Sequence, residues 1–250
     1  MTKLCIDYPM KYTHLLKGDI TFALAQLYER FPAYEKTMIR LREEGREIML
    51  DNGAWEFKVS MPVEDYLEII QLLEPTYAVI PDAYQDAKKS RKLTLEFFDK
   101  FIPLNLDTKL IYAPQGKNIT EIIEEYNFNV NKFFAYMDMV GIPKHVGDLL
   151  NRVAFTDMLY DSADIKFQKV HFLGYWNYEE LMFAPKERKS AAWYLHSIDT
   201  KYPVKYAYLP TKFKDQLDYY LTDDKLNIDS FEVAVEHFYE GLLKLKWLKK

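Results

Sequence analysis

Cysteine is nearly missing from this chain: Cys5 stands alone, which excludes an intramolecular disulfide and a zinc site built from several thiolates. Glycine is scarce, with 8 residues in 250. The segment GKNIT at 116–120 has one glycine before its lysine and lacks the spacing of a phosphate-binding loop. The five histidines, His14, His145, His171, His196 and His237, contain no HExxH pair, so neither a metal nor another cofactor is expected. Excess positive charge is also absent. A formal charge of -5 argues against a protein that coats nucleic acid through bulk charge, although it leaves room for a local basic groove. No apolar run approaches the length of a membrane span, and the start MTKLCIDYPMKYTH has no signal-peptide hydrophobic region. A soluble, cytoplasmic protein is expected, and the sequon Asn118-Ile-Thr120 is then no glycosylation site. No low-complexity tract or flexible linker divides residues 1–250, which read as one domain.

What the chain does have is apolar and aromatic residues: 49% hydrophobic, with 20 Tyr and 16 Phe. That content supplies a large core, and tyrosine suits boundaries where a ring meets packing and its hydroxyl meets water. Six short apolar runs end on a polar or glycine residue: IMLD at Asp51, YAVIPD at Asp82, LIYAPQG at Gln115 and Gly116, YMDMVG at Gly141, VHFLG at Gly174 and HSID at Asp199. The run-ends are 25 to 33 residues apart, the length of a strand, a loop, a helix and a return. This rhythm predicts an α/β fold, a single TIM-type (β/α)8 barrel in which every strand points its C-terminal end at one face. The six run-ends would then gather in one pocket.

The first strand is expected in KLCIDY, residues 3–8. A helix is expected from Ile20 to Glu44, capped by Gly45, because Phe22, Leu24, Ala25, Leu27 and Tyr28 recur at helical spacing. Further helices are expected in MPVEDYLEIIQLLE, AKKSRKLTLEFFDKF and NITEIIEEYN, with strands in TYAVIPD and TKLIYAPQ. FFAYMDMVGIP reads either as a strand or as a continuing helix. The stretch from Pro143 to Tyr160 reads as helix, KVHFLGY as a strand, NYEELMF as the start of a short helix, HSID as a brief strand and KYAYL as the eighth. SFEVAVEHFYEGLLKLKWLKK is an amphipathic helix whose basic end suits the macrodipole, and that end reads as a solvated terminus.

Asp51 opens DNGAWEF, where Asn52 and Gly53 force a tight turn at a strand exit. Its carboxyl is either an acid/base or an Asx-turn cap. Asp82 and Gln115 each follow a run containing proline, and together they offer acceptors and donors able to read the edge of a planar heterocycle. Asp199 ends a short strand between Ser197 and Thr200. One ionised and one protonated carboxyl facing the same pocket are what a double displacement at a sugar carbon requires, and Asp51 and Asp199 are the pair expected to do it. His171 reads as a core histidine with a hydrogen-bond partner.

In order along the chain these motifs resemble the tRNA-guanine transglycosylase superfamily, over roughly residues 47 to 205. DNGAWEF is similar to that family's DSGGFQ-type segment, PDAYQD to its base-recognising aspartate loop and APQG to its VQGG loop. VGIP is similar to its glycine segment, HFLGY to HLLG, and SIDT occupies the place of its nucleophilic aspartate. The compact length and the DNGAxE and SIDT variants resemble small phage-type members, related to the transglycosylases that insert 7-deazaguanines into DNA; a phage-encoded member would work in host cytoplasm.

The resemblance implies that Asp199 attacks C1′ and expels guanine, and that Asp51 protonates the leaving base and deprotonates the incoming one. It implies a base held by Asp82, Gln115 and Gly116, by the backbone at Gly141, and by the segment carrying Asn52 and Glu56. An aromatic residue would stack on the base, with Tyr84, Tyr112 and Trp55 as candidates. The implied partners are DNA, or a free nucleoside or nucleotide, together with a purine or 7-deazapurine base; oligomeric state stays open. The family's zinc subdomain has no counterpart here, which disfavours tRNA as the substrate. Glu56 stands where the family often has glutamine, replacing a donor-acceptor amide by a carboxylate. A barrel that kept the base pocket without turnover is the alternative from a different class.

Overall fold

Short runs of β-branched, aromatic and leucine residues, buried almost end to end, form eight strands, as expected where helices cover one face of a sheet and a packed interior the other. The computed structural model describes residues 2–15, 17–174, 193–201, 220 and 227–247. The strands are β1 (Lys3–Ile6), β2 (Ile20–Leu24), β3 (Glu47–Asp51), β4 (Tyr77–Val79), β5 (Lys109–Tyr112), β6 (Met137–Ile142), β7 (Lys169–Phe172) and β8 (Tyr194–Thr200). They are all parallel and close in sequence order into a TIM-type barrel. Closure is made by β8 against β1, with Cys5 beside Asp199 and Ile6 beside Thr200. Two register shifts interrupt the ladder, at Leu110/Ile111 and at Val170/His171. The second turns His171 toward Ser197 and the end of β8, the kind of re-aiming that bulges provide near functional sites.

The helices are α1 (Ala25–Arg30), α2 (Pro32–Glu43), α3 (Ala54–Phe57), α4 (Val63–Leu73), α5 (Ala87–Phe101), α6 (Ile119–Phe133), α7 (Val146–Leu149), α8 (Arg152–Ser162) and α9 (Ile228–Trp247). Side-chain caps start several of them: Asp86 accepts from the Lys89 N–H, Asn118 from Glu121 and Asn151 from Val153 and Ala154. Among the described residues no helix is long and apolar enough to cross a membrane.

The expected helix from Ile20 to Glu44 is corrected. Ile20–Leu24 is a strand buried at all five positions, so its apolar residues show no face at all, and the apparent helical spacing runs across two elements. Pro32 then separates α1 from α2, and Gly45 takes φ +81° just beyond the helix end. FFAYMDMVGIP resolves as a 3-10 turn followed by β6, and the stretch 143–160 breaks at Leu150 into α7 and α8. NYEELMF and KYAYL lie outside the described residues, and Ile20–Leu24 is one of the eight barrel strands.

Candidate active site

A cavity of about 460 Å³ opens at the C-terminal ends of the strands, a volume in the range of small-molecule sites. Every strand exit except that of β2 sends a residue to it: Asp7 after β1, Asp51 at the end of β3, Asp82 after β4, Gln115 after β5, Lys144 and His145 after β6, Gly174 after β7 and Asp199 on β8. Asp51, Asn52, Glu56, Asp82, Tyr84, Gln115 and Asp199, all expected at the site, line this one cavity.

Asp51 is both things its sequence allowed. Its Oδ1 accepts from the Gly53 N–H at 2.7 Å, closing an Asx turn, while the residue faces the cavity. Gly53 takes φ +73°, and a Cβ there would sit 2.1 Å from the Gln26 amide, whose Nε2 donates to the Asn52 carbonyl at 2.8 Å. Glycine is therefore favoured by torsion, and a side chain here would have to push the Gln26 amide off the Asn52 carbonyl. Burial first, then the charge of Glu56, and less strongly those of Asp199 and Asp82, push the Asp51 carboxyl well above the usual carboxylate range against the opposing bond from Gly53.

Asp82 is buried, and both its oxygens are held by amides: Oδ2 accepts from Gln115 Nε2 at 2.6 Å and Oδ1 from Asn52 Nδ2 at 3.3 Å. Burial raises it to about 7 in spite of these two bonds. The Gln115 amide is oriented by the Gln85 N–H, which donates to its Oε1 at 3.1 Å. Asn52 donates also to the Ile80 carbonyl at 2.8 Å and accepts from the Ala54 N–H at 2.8 Å. It acts on the protein's own groups, bracing the exits of β3 and β4, more than toward a ligand.

Behind Gln115 lies a second polar layer. Its N–H donates to the fully buried Glu125 at 3.3 Å, where the Tyr112 hydroxyl and Asn129 Nδ2 also converge. Burial raises Glu125 to about 8. Tyr112, a stacking candidate on sequence grounds, belongs to this layer and does not line the cavity. Two glycines expected at the site, Gly116 and Gly141, do not line the cavity. A Cβ on Gly116 would strike Glu121 Cβ at 2.8 Å, so this glycine lets the β5 exit pack on α6. A Cβ on Gly141 would meet Ile111 and Leu173, so that glycine makes room for Leu173, which does reach the cavity.

Asp199 is held by the neighbouring strand. Its Oδ1 accepts from the Gly174 N–H at 2.7 Å and lies 3.0 Å from His171 Nε2, while His171 Nδ1 lies 2.8 Å from Ser197 Oγ. With Nε2 as the donor to Asp199 Oδ1, His171 Nδ1 accepts the Ser197 hydroxyl hydrogen. His171 is wholly buried, the hydrogen-bonded core histidine expected, and its partner is the nucleophile candidate.

Among the lining residues not expected there are Lys201, Asp7 and His145. Lys201 Nζ lies 3.3 Å from both Asp7 Oδ2 and Glu56 Oε1, and the Tyr220 hydroxyl donates to Asp7 at 2.9 Å and lies 3.4 Å from Glu56 Oε1. Burial pushes Asp7 up to about 7 against the pull of Lys201, and the two carboxylates hold the Lys201 ammonium above its usual range although burial opposes them. Asp7 carries the same signal as the other run-ends, a carboxylate following the apolar run of KLCIDY. The third, His145, is buried and lowered to about 4 by burial, against a hydrogen bond to the Gly116 carbonyl; it is neutral at pH 7. At the rim Tyr84 stands edge-on to His145 (5.3 Å) and to the exposed Trp55 (5.0 Å), and Lys58 covers both Trp55 and Tyr84. Among the described residues no group of three or more His, Cys, Asp or Glu is arranged to hold a metal ion.

No protein-family model matches this chain, and no curated protein matches it either.

Proposed function

We propose that this barrel is a base-exchange glycosyltransferase that replaces guanine with a 7-deazaguanine derivative in DNA. One observation carries the reading: two carboxyl groups line one cavity in opposite environments. Asp51 is driven toward its acid form, and Asp199 has one oxygen fixed by a main-chain N–H and a histidine. A carboxyl driven toward its acid form and a second one oriented by hydrogen bonds are what an acid and a nucleophile need in a double displacement.

In the proposed reaction Asp199 Oδ2 forms a bond to C1′ as the C1′–N9 bond breaks, and the departing guanine takes its electron pair and a proton from Asp51. The incoming base gives its N9 proton back to Asp51 and attacks C1′, releasing Asp199. Asp82 and Gln115 hold the polar edge of the base, with Trp55 or Tyr84 against its face.

The test is intact-protein mass spectrometry after incubation with guanine-containing DNA and a competing 7-deazaguanine. A glycosyl adduct on Asp199, and loss of at least about 10³-fold of exchange in Asp199→Asn, are expected. Labelled guanine that stays wholly in the polymer, whatever base is supplied, refutes the reading.

A further inference from the structure

A buried cation lies one peptide away from the bond that fixes Asp199. Arg152, at the start of α8, is wholly inaccessible to solvent. Its guanidinium donates to three main-chain carbonyls, those of Ile142 (3.3 Å), Leu173 (2.9 Å) and Gly174 (2.8 Å), and lies 4.6 Å from the Phe172 ring. The ladder between β6 and β7 ends at Ile142 beside Phe172, followed by one further bond from the Leu173 N–H to the Ile142 carbonyl at 3.1 Å. Beyond that point the chain leaves the sheet, and Arg152 is what receives its carbonyl oxygens.

Gly174 is the joint. At φ +70° its carbonyl takes the guanidinium while its N–H donates at 2.7 Å to Asp199 Oδ1. We propose that Arg152 is a positioning residue for Asp199: by gripping the Leu173 and Gly174 carbonyls it aims the Gly174 N–H that fixes the nucleophile's carboxylate. The proposal rests on Asp199 being the nucleophile. A planar fork with five donors can reach three carbonyls at once, which the compact ammonium of lysine cannot do from the same place. Burying a guanidinium is costly, and an apolar side chain of similar volume is the usual equivalent for packing alone.

The experiment uses the full chain, a guanine-containing DNA oligonucleotide and labelled guanine. Misplacing a nucleophile by about 1 Å lowers turnover by roughly 10²-fold. Arg152→Gly should therefore lose turnover on that order while KM for guanine changes by less than about twofold, since the base-reading groups follow β4 and β5. Added guanidinium at millimolar concentration should restore much of the loss, and Arg152→Lys should not substitute. Turnover within about threefold of the parent in both variants, or a rise in KM with turnover intact, overturns the proposal.

A second readout needs no activity. The Gly174 amide resonance should shift on Asp199→Asn and lose hydrogen-exchange protection in Arg152→Lys. If the parent protein exchanges no guanine at all, the transglycosylase reading fails. The Gly174 amide then decides this inference alone, and unchanged protection in Arg152→Lys overturns it.

Discussion

Replacing Asp82 by asparagine should flatten the pH dependence of folding stability. Asp82 is buried, and its carboxyl rises from 3.8 to about 7 in the folded state. A folded pKa above the unfolded one means that this group favours folding fully below about pH 4 and loses that contribution as pH climbs through 7. Linkage between those two values costs the folded state roughly 1.5 kcal/mol at pH 5 and about 4 kcal/mol at pH 8, a loss of roughly 2.5 kcal/mol across the interval. An amide in this place cannot ionise, so Asp82→Asn removes that slope. It also sets its own NH₂ against one of two donors, Gln115 Nε2 or Asn52 Nδ2, while its oxygen accepts from the other, a penalty that is nearly the same at both pH values and cancels in the difference. Asp51 and Glu125, both raised partly by Asp82, ionise more readily once its charge is gone, which adds to the flattening. Urea unfolding of both proteins at pH 5 and pH 8 reads the effect directly, with a constant m-value as the check on two-state behaviour. Parallel stability curves, within about 0.5 kcal/mol, refute the claim that Asp82 is held near neutrality by burial.

Two other substitutions test the frame of the cavity. Gly53→Ala places a Cβ against the Gln26 amide at a positive φ, and it should destabilise by about 1–3 kcal/mol in thermal unfolding and abolish the Asx turn that presents Asp51. Lys201→Met removes the cation between Asp7 and Glu56, and a loss of about 3–5 kcal/mol is expected at pH 8, shrinking below pH 6 as Asp7 takes up a proton; equal losses at both pH values refute it.

The strand-exit logic is legible in the sequence because it is local. Asp51, Asp82, Gln115 and Asp199 each close an apolar run, and a parallel barrel sends all such positions to one face, so no long-range knowledge is needed. Asp7 obeys the same rule, closing the apolar run of the first strand. The glycines carry less information: Gly116 and Gly141 lack side chains because α6 and Leu173 press on them, a packing demand that a run-end pattern cannot separate from ligand approach. Ile20–Leu24 reads as helix because a strand buried on both faces and the first turn of a helix share one apolar alphabet. Lys201 and Arg152 have no local sign at all. Lys201 reaches Glu56 across 145 residues of sequence, and Arg152 acts on carbonyls that any residue possesses.

The charges on the cavity wall bear on which part of a substrate enters. Asp7, Asp51, Glu56, Asp82 and Asp199 face it against Lys144 and Lys201, and Lys201 is already engaged by two of those carboxylates. Burial lifts Asp7 and Asp82 to about 7 and Asp51 well upward, which lowers the negative charge near neutrality without reversing its sign. A phosphate driven into this cavity would meet carboxylates in a poorly screened setting, whereas a neutral base with donors on its edge finds acceptors. The proposed exchange therefore favours a nucleotide whose base and sugar enter while its phosphates stay outside, as a flipped residue of a polymer or a free nucleoside can do. A free nucleotide has no strand to hold its phosphate out at the rim, and under the proposed exchange the acidic wall disfavours it against the other two.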